Sequence, residues 1–192
     1  MMNNLKTILF VVLVVAVAAC SPAQNPTPEA SSFYTVVQEA TLSAGDAIPL
    51  PENEVILTVT GKIGTTNSGD TVEFDINTLE SLGQIEYDVL DPFSEEVTVY
   101  RGVPMSAFLA ALQLPDDATV LSVTALDDYS IEIPIADLVN RPVILALRQN
   151  GEYLSIVNRG PSRLIFPYDD FEYDTDVFYN YWIWQIATME VR

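Results

Sequence analysis

The sequence predicts an α+β domain of mostly short strands with short helices set between hairpins. Stretches that are β-branched or alternate apolar with polar residues recur along the chain, which is the pattern of half-buried strands. Turn formers stand between them, at Asp91-Pro92, Asp127-Asp128 and Asn150-Gly151. The segments of helical composition are short and bounded by Gly or Pro, as Met105 to Leu112 is by Pro104 and Pro115. A parallel α/β layout needs longer helices alternating with strands, so the pattern selects α+β.

Phe33 to Pro51 reads as an extended lead-in. Val55 to Ile63, VILTVTGKI, is the first arm of a hairpin that returns over Thr71 to Ile76. Asn77 is expected to cap a short helix, Thr78 to Leu82, closed by Gly83. Gln84 to Leu90 and Glu96 to Arg101 form a strand pair around Asp91-Pro92, and Gly102-Val103-Pro104 is expected to break the second strand. The helix MSAFLAAL follows. Thr119 to Ala125 and Tyr129 to Ile133 flank the turn Asp127-Asp128, and Ile135 to Val139 is a helical turn after Pro134. Val143 to Leu147 and Leu164 to Phe166 read as buried strands, with a tight turn at Asn150-Gly151 between them. The tail from Tyr173 ends in YWIWQIATMEV, read as a last strand. Its alternation puts Trp182, Trp184 and Ile186 on one face and Ile183, Ala187, Met189 and Val191 on the other.

At 192 residues and 49% hydrophobic composition the chain supports one domain beyond its leader. Residues 1-19 read as a signal peptide of lipoprotein type. Lys6 precedes an apolar run, Ile8 to Ala19, too short to span a bilayer, and small residues stand before Cys20. Val17-Ala18-Ala19-Cys20 resembles a bacterial lipobox, which implies lipidation of Cys20. Ordinary secretory cleavage after Ala16-Val17-Ala18 is the other reading of the same residues. Residues 20-52 then form the lipidated cysteine, a Pro, Ala and Ser-rich linker and the lead-in, and 53-192 the domain. The expected address is the cell envelope, anchored by lipid outside the cytoplasm. In a Gram-negative host, Ser21 after the cysteine implies the outer membrane facing the periplasm.

The residue counts exclude much chemistry. Cys20 is the only cysteine and there is no histidine, so the domain has no disulfide, no cysteine nucleophile and no histidine acid-base catalyst. A net charge of -19, or -20 once Lys6 leaves with the leader, disfavours nucleic acid.

Against that acidity, four of the eight Lys and Arg residues, Arg141, Arg148, Arg159 and Arg163, fall around Gly160-Pro161. A guanidinium presents a planar fork suited to a phosphate or a carboxylate. Arg163 therefore reads either as an anion binder or as the partner of a local carboxylate such as Asp169 or Asp170.

From about Val55 to Val191 the residues resemble the molybdopterin-binding domain of sulfite oxidase-like oxidoreductases, in particular its short single-domain bacterial members. The resemblance rests on Thr60-Gly61, on Tyr100-Arg101-Gly102-Val103-Pro104-Met105 before a helix, and on Asp127-Asp128-Tyr129 with Ile133-Pro134. It continues through Leu145-Ala146, Asn150-Gly151-Glu152, Gly160-Pro161-Ser162-Arg163-Leu164 with Pro167, and a last strand bearing Trp. It implies a pterin-phosphate cradle at Gly160, Pro161 and Arg163 with Asn150 nearby, and molybdopterin as cofactor.

Catalytic members ligate molybdenum through a cysteine between the first helix and the strand of the Gly-Val motif. Here that region, Gln84 to Glu96, reads QIEYDVLDPFSEE and has none, and Asn180-Tyr181 replace the basic residues that often precede the Trp. The expectation is a scaffold without molybdenum and without catalytic residues, serving to bind a small anionic ligand or a protein partner. The alternative is a molybdopterin-dependent oxidoreductase whose metal is held without cysteine.

Asp170, Glu172, Asp174 and Asp176 read either as a calcium site, since oxygen donors suffice for that ion, or as a solvated acidic loop. Tyr168, Phe171, Tyr173, Phe178, Tyr179, Tyr181, Trp182 and Trp184 divide between core and a recognition surface.

Overall fold

The computed structural model describes residues 33–167 and 175–192, with only the backbone of residues 175 and 176. Two sheets meet over one apolar core. The first runs in the order β1 (Thr35–Gln38), β4 (Gln84–Asp91), β5 (Glu96–Pro104), β8 (Ile144–Gln149) and β10 (Arg163–Ile165), with β9 (Glu152–Tyr153) also paired to β8; every pairing is antiparallel. The second runs β3 (Val72–Phe74), β2 (Leu57–Gly61), β11 (Ile186–Val191), β6 (Val120–Ala125) and β7 (Ser130–Pro134), with β11 parallel to β2. The helices are short: α1 (Ile76–Glu80), α2 (Met105–Ala111), α3 (Ile135–Val139) and α4 (Thr175–Tyr181). Leu57, Val59, Leu121 and Val123 are wholly buried on the second sheet, and Phe74 packs on Phe108 of α2 at a ring separation of 5.4 Å. Burial of each such side chain contributes about 1.5–3 kcal/mol.

The β2–β3, β4–β5 and β6–β7 hairpins stand where the alternation predicts them, as do α2 and α3. Several elements differ. The lead-in is built into the fold: β1 pairs with β4 through Thr35↔Glu86 and Val36↔Ile85, and Ile48 is buried, so ordered structure begins well before residue 53. Asp75, not Asn77, caps α1. Its Oδ1 accepts from the Thr78 amide at 2.8 Å, and Oδ2 accepts from the amides of Glu52 and Asn53 and from Asn53 Nδ2.

Gly102-Val103-Pro104 does not break β5. The strand runs through it, because Gly102 lets β5 close on β8 beside a bulge. A Cβ there would lie 2.1 Å from the Leu145 carbonyl oxygen. Asn150-Gly151 turns β8 into β9 rather than into β10, which reaches β8 from further along the chain.

The last strand is shorter than the apolar run that predicts it. Its start is taken by α4, and β11 opens at Ile186. A register shift between Ile186 and Thr188 puts Ile186 in the core with Met189 and Val191, not on the opposite face. No helix among the described residues is long and apolar enough to cross a membrane.

Candidate ligand cleft

Three strands of the first sheet bring together Asp91 at the end of β4, Tyr100 on β5 and Arg163 on β10. The Asp91 carboxylate closes the β4–β5 turn: Oδ1 accepts from the amides of Phe93 at 2.8 Å and Ser94 at 3.2 Å. Its Oδ2 accepts from the Tyr100 hydroxyl at 2.5 Å and lies 3.2 Å from Arg163 Nη1. Arg163 Nη1 in turn donates to the Tyr100 oxygen at 2.9 Å. All three side chains are buried, Arg163 at 1% exposure. Its guanidinium carbon lies 5.1 Å from the Tyr100 ring centre and 5.5 Å from that of Trp182. Among the described residues Nε and Nη2 have no hydrogen-bond acceptor, and the two ring faces are the electron-rich surfaces beside them.

The electrostatics follow from this packing. Burial pushes the Asp91 carboxyl up, but the Tyr100 hydroxyl, the Phe93 and Ser94 amides and the Arg163 charge together hold it below the ordinary carboxylate range. Burial and the Asp91 charge raise the Tyr100 phenol, which stays neutral and donates. Burial lowers Arg163 against the opposing pull of Tyr100 and Asp91. Arg163 is therefore a core residue with an internal counter-ion. Its counter-ion among the described residues is Asp91 on β4, across β5 and β8 in the sheet order; Asp169 and Asp170, the local candidates, lie outside the described residues.

A polar cleft of about 480 Å³ opens over this group, and Arg163 and Asn150 both line it. Asn150 is occupied by the fold: its amide donates to the Val99 carbonyl at 2.8 Å, and its Oδ1 accepts from the Val99 amide at 3.1 Å. Gly160 and Pro161, joined by a cis peptide, are not on the cleft wall. The Gly160 amide donates to the Ser155 carbonyl, and a Cβ on Gly160 would meet the Leu154 oxygen at 2.2 Å. That closeness explains the glycine without a ligand.

The cation the cleft does offer is Arg159. It ends the 3-10 turn Ile156–Asn158 with a left-handed φ of 64°, and its guanidinium lies 4.8 Å from the Trp184 ring centre and 5.5 Å from that of Phe93. Every other Lys or Arg of the described residues has a carboxylate within 4.0 Å. Arg141 meets Asp137, and Arg148 meets Glu80 while stacking on Tyr153. Arg159 has none. The sequence places it beside Gly160-Pro161 but does not distinguish it from Arg163; only the pairing of the other arginines does.

Phe93 and Trp184, edge to face at 5.0 Å, also line a second pocket of about 350 Å³ together with Tyr129, Tyr179, Trp182 and Asp127. Of the tail aromatics, Phe178, Tyr181 and Trp182 are buried, Trp184 is half-buried and Tyr179 is exposed. Tyr168, Phe171 and Tyr173 lie outside the described residues. So do Cys20 and three of the calcium candidates, Asp170, Glu172 and Asp174, and only the backbone of Asp176 is described, within α4. Among the described residues no cluster of three or more acids, cysteines or histidines is placed to hold a metal ion.

Residues 92–169 match the sequence model of the family described as the oxidoreductase molybdopterin binding domain. The mostly-strand, two-sheet architecture is that of a sulfite oxidase-like molybdopterin-binding fold, and the chain resembles that family over the matched residues. Among solved structures it is similar to the sulfane dehydrogenase SoxCD from Paracoccus pantotrophus, with a TM-score of 0.56 and 18% identity over 76% of this chain. The match covers 40% of that chain, so the protein spans well under half of its solved relative. No curated protein matches it in sequence.

The donor set of the described residues does not fit a molybdenum pyranopterin. They include no cysteine or histidine, so neither thiolate nor imidazole is present to take the metal. The arginine of the Gly-Pro-x-Arg turn is occupied by Asp91, and the cleft wall carries the acids Asp91 and Glu152 against Arg159 and Arg163.

Proposed function

We propose that this is a lipid-anchored, extracytoplasmic binding domain that keeps the molybdopterin-binding scaffold without its redox chemistry and takes a small anion in the polar cleft. The observation that carries the reading is the division of labour between two arginines. Arg163 is neutralised in the core by Asp91, whereas Arg159 lines the cleft with no carboxylate partner among the described residues. A charge-assisted hydrogen bond from one guanidinium contributes about 1.5–3 kcal/mol, enough for a weak, selective anion site. The envelope address rests on the apolar leader, on Cys20 after Val17-Ala18-Ala19 and on the tether that follows. In a Gram-negative host, Ser21 points to the outer membrane.

A second reading, an oxidoreductase that holds molybdopterin with no cysteine on the metal, draws on the family match over residues 92–169. Elemental analysis separates the two. The chain, purified from a host that makes and inserts molybdopterin, is expected to carry no stoichiometric molybdenum and to bind inorganic phosphate weakly in an Arg159-dependent way. One molybdenum per chain establishes the second reading instead.

A further inference from the structure

The aromatic pocket and Arg159 meet at the same two side chains. Phe93 and Trp184 form part of the wall of the 350 Å³ pocket, and both carry the Arg159 guanidinium within 5.5 Å of their ring centres. The remaining wall includes three more aromatic rings, Tyr129, Tyr179 and Trp182, and Tyr129 and Tyr179 are about half exposed. The fold thus sets an open aromatic pocket, of the size that takes a small organic molecule, beside the one described cation with no internal counter-ion. Aromatic walls favour a flat apolar body through ring packing as well as burial. An uncompensated guanidinium favours a planar carboxylate at its end.

Resting on the anion-binding reading above, we propose that the ligand is a small aromatic carboxylate, its ring held among Tyr129, Tyr179, Phe93 and Trp184 and its carboxylate on Arg159. The charged side chain on the pocket wall itself is Asp127, at the β6–β7 turn, where its Oδ1 accepts from the Tyr129 amide. Asp127 opposes an anion placed at that turn and so directs the carboxylate toward the Phe93–Trp184 side, where Arg159 stands. The neighbouring acid, Asp91, adds little repulsion because Arg163 and Tyr100 neutralise and cover it.

The test is an NMR-monitored titration of the purified full chain with three probes: acetate, 3-phenylpropionate and 3-phenylpropylamine. The proposal expects 3-phenylpropionate to bind roughly tenfold or more tightly than acetate, from burial of its ring. Arg159→Gln weakens both acids. Tyr129→Ala, at a half-exposed position, weakens 3-phenylpropionate and leaves acetate unchanged. Equal binding of the two acids, both lost in Arg159→Gln, overturns the aromatic-ligand proposal while the anion reading stands. Failure of either acid to respond to Arg159→Gln overturns both, and so does tighter binding of the amine than of 3-phenylpropionate.

Discussion

Arg163 and Asp91 form an ion pair at 3.2 Å with both side chains almost wholly out of solvent, at 1% and 2% exposure. Each belongs to a different strand, and Tyr100 on β5, next to β4, closes the triangle by donating to Asp91 and accepting from Arg163. The pair ties the end of β4 to β10, so it is a structural contact at the floor of the cleft.

Breaking one side of this pair leaves an uncompensated buried charge. Asp91→Ala is expected to lower stability by about 3–5 kcal/mol, measured by urea denaturation. The double variant Asp91→Leu with Arg163→Met is expected to recover most of that loss, because it removes both charges and retains the volume. A double variant no more stable than Asp91→Ala would show that the hydrogen bonds to Tyr100 and the turn amides, and not the uncompensated charge, carry the effect.

The cap of α1 sets an acid limit. Burial raises the Asp75 carboxyl, but the hydrogen bonds from Thr78 and Asn53 outweigh it and bring the carboxyl down to about 2. Asp91 is lowered as well. Carboxyls lower in the folded chain than their unfolded value of about 4 bind protons preferentially in the unfolded state, so their stabilisation is full above that value and fades as pH falls toward 2. Urea midpoints are expected to hold down to about pH 5 and then fall, and Asp75→Asn is expected to flatten that slope. Asp75→Ala is expected to cost about 1–2 kcal/mol at neutral pH.

At Gly102 the backbones of β5 and β8 approach too closely for any side chain, since a Cβ would sit 2.1 Å from the Leu145 oxygen. Gly102→Ala is expected to cost more than about 2 kcal/mol by thermal or urea unfolding, as overpacking against backbone rather than a movable side chain does. An unchanged midpoint would mean that the bulge at Arg101 and Gly102 absorbs the methyl group.

The envelope anchor has its own check. Cys20→Ser is expected to abolish the lipid mass on the mature protein and to move it from the membrane to the soluble fraction. A native mature protein that begins elsewhere, without lipid, by intact mass spectrometry would remove the anchor from the proposal.

How much of this was legible in the sequence depends on the range of the interaction. The β2–β3 and β6–β7 hairpins follow from local alternation and turn residues, and the structure has them. The family pattern, from Tyr100 through Pro104 to the Gly-Pro-x-Arg turn, correctly points to the fold. Asp75 rather than Asn77 caps α1 because its carboxylate also gathers the Glu52 and Asn53 amides, a contact from a distant segment that no local rule contains. The partner of Arg163 was hidden for the same reason. The local candidates, Asp169 and Asp170, lie outside the described residues, and strand order brings Asp91 to Arg163 from a distant strand. Helix α4 was masked by the aromatic run that continues into β11, where periodicity alone does not separate a buried turn of helix from a strand. Arg159 stood out only after every other described cation had been matched to its acid.

The position of β11 carries a consequence for how the chain reaches this shape. It lies in the middle of the second sheet, parallel to β2 on one side and antiparallel to β6 on the other, yet it is synthesised after all the other described strands. The β2–β3 and β6–β7 hairpins can form early, but each keeps an unsatisfied edge until residues 186–191 arrive between them. Closure of that sheet therefore waits on the most sequence-distant pairing in the fold, which slows folding. A chain released before those residues leaves two open strand edges, an invitation to self-association that the finished protein does not present at that place.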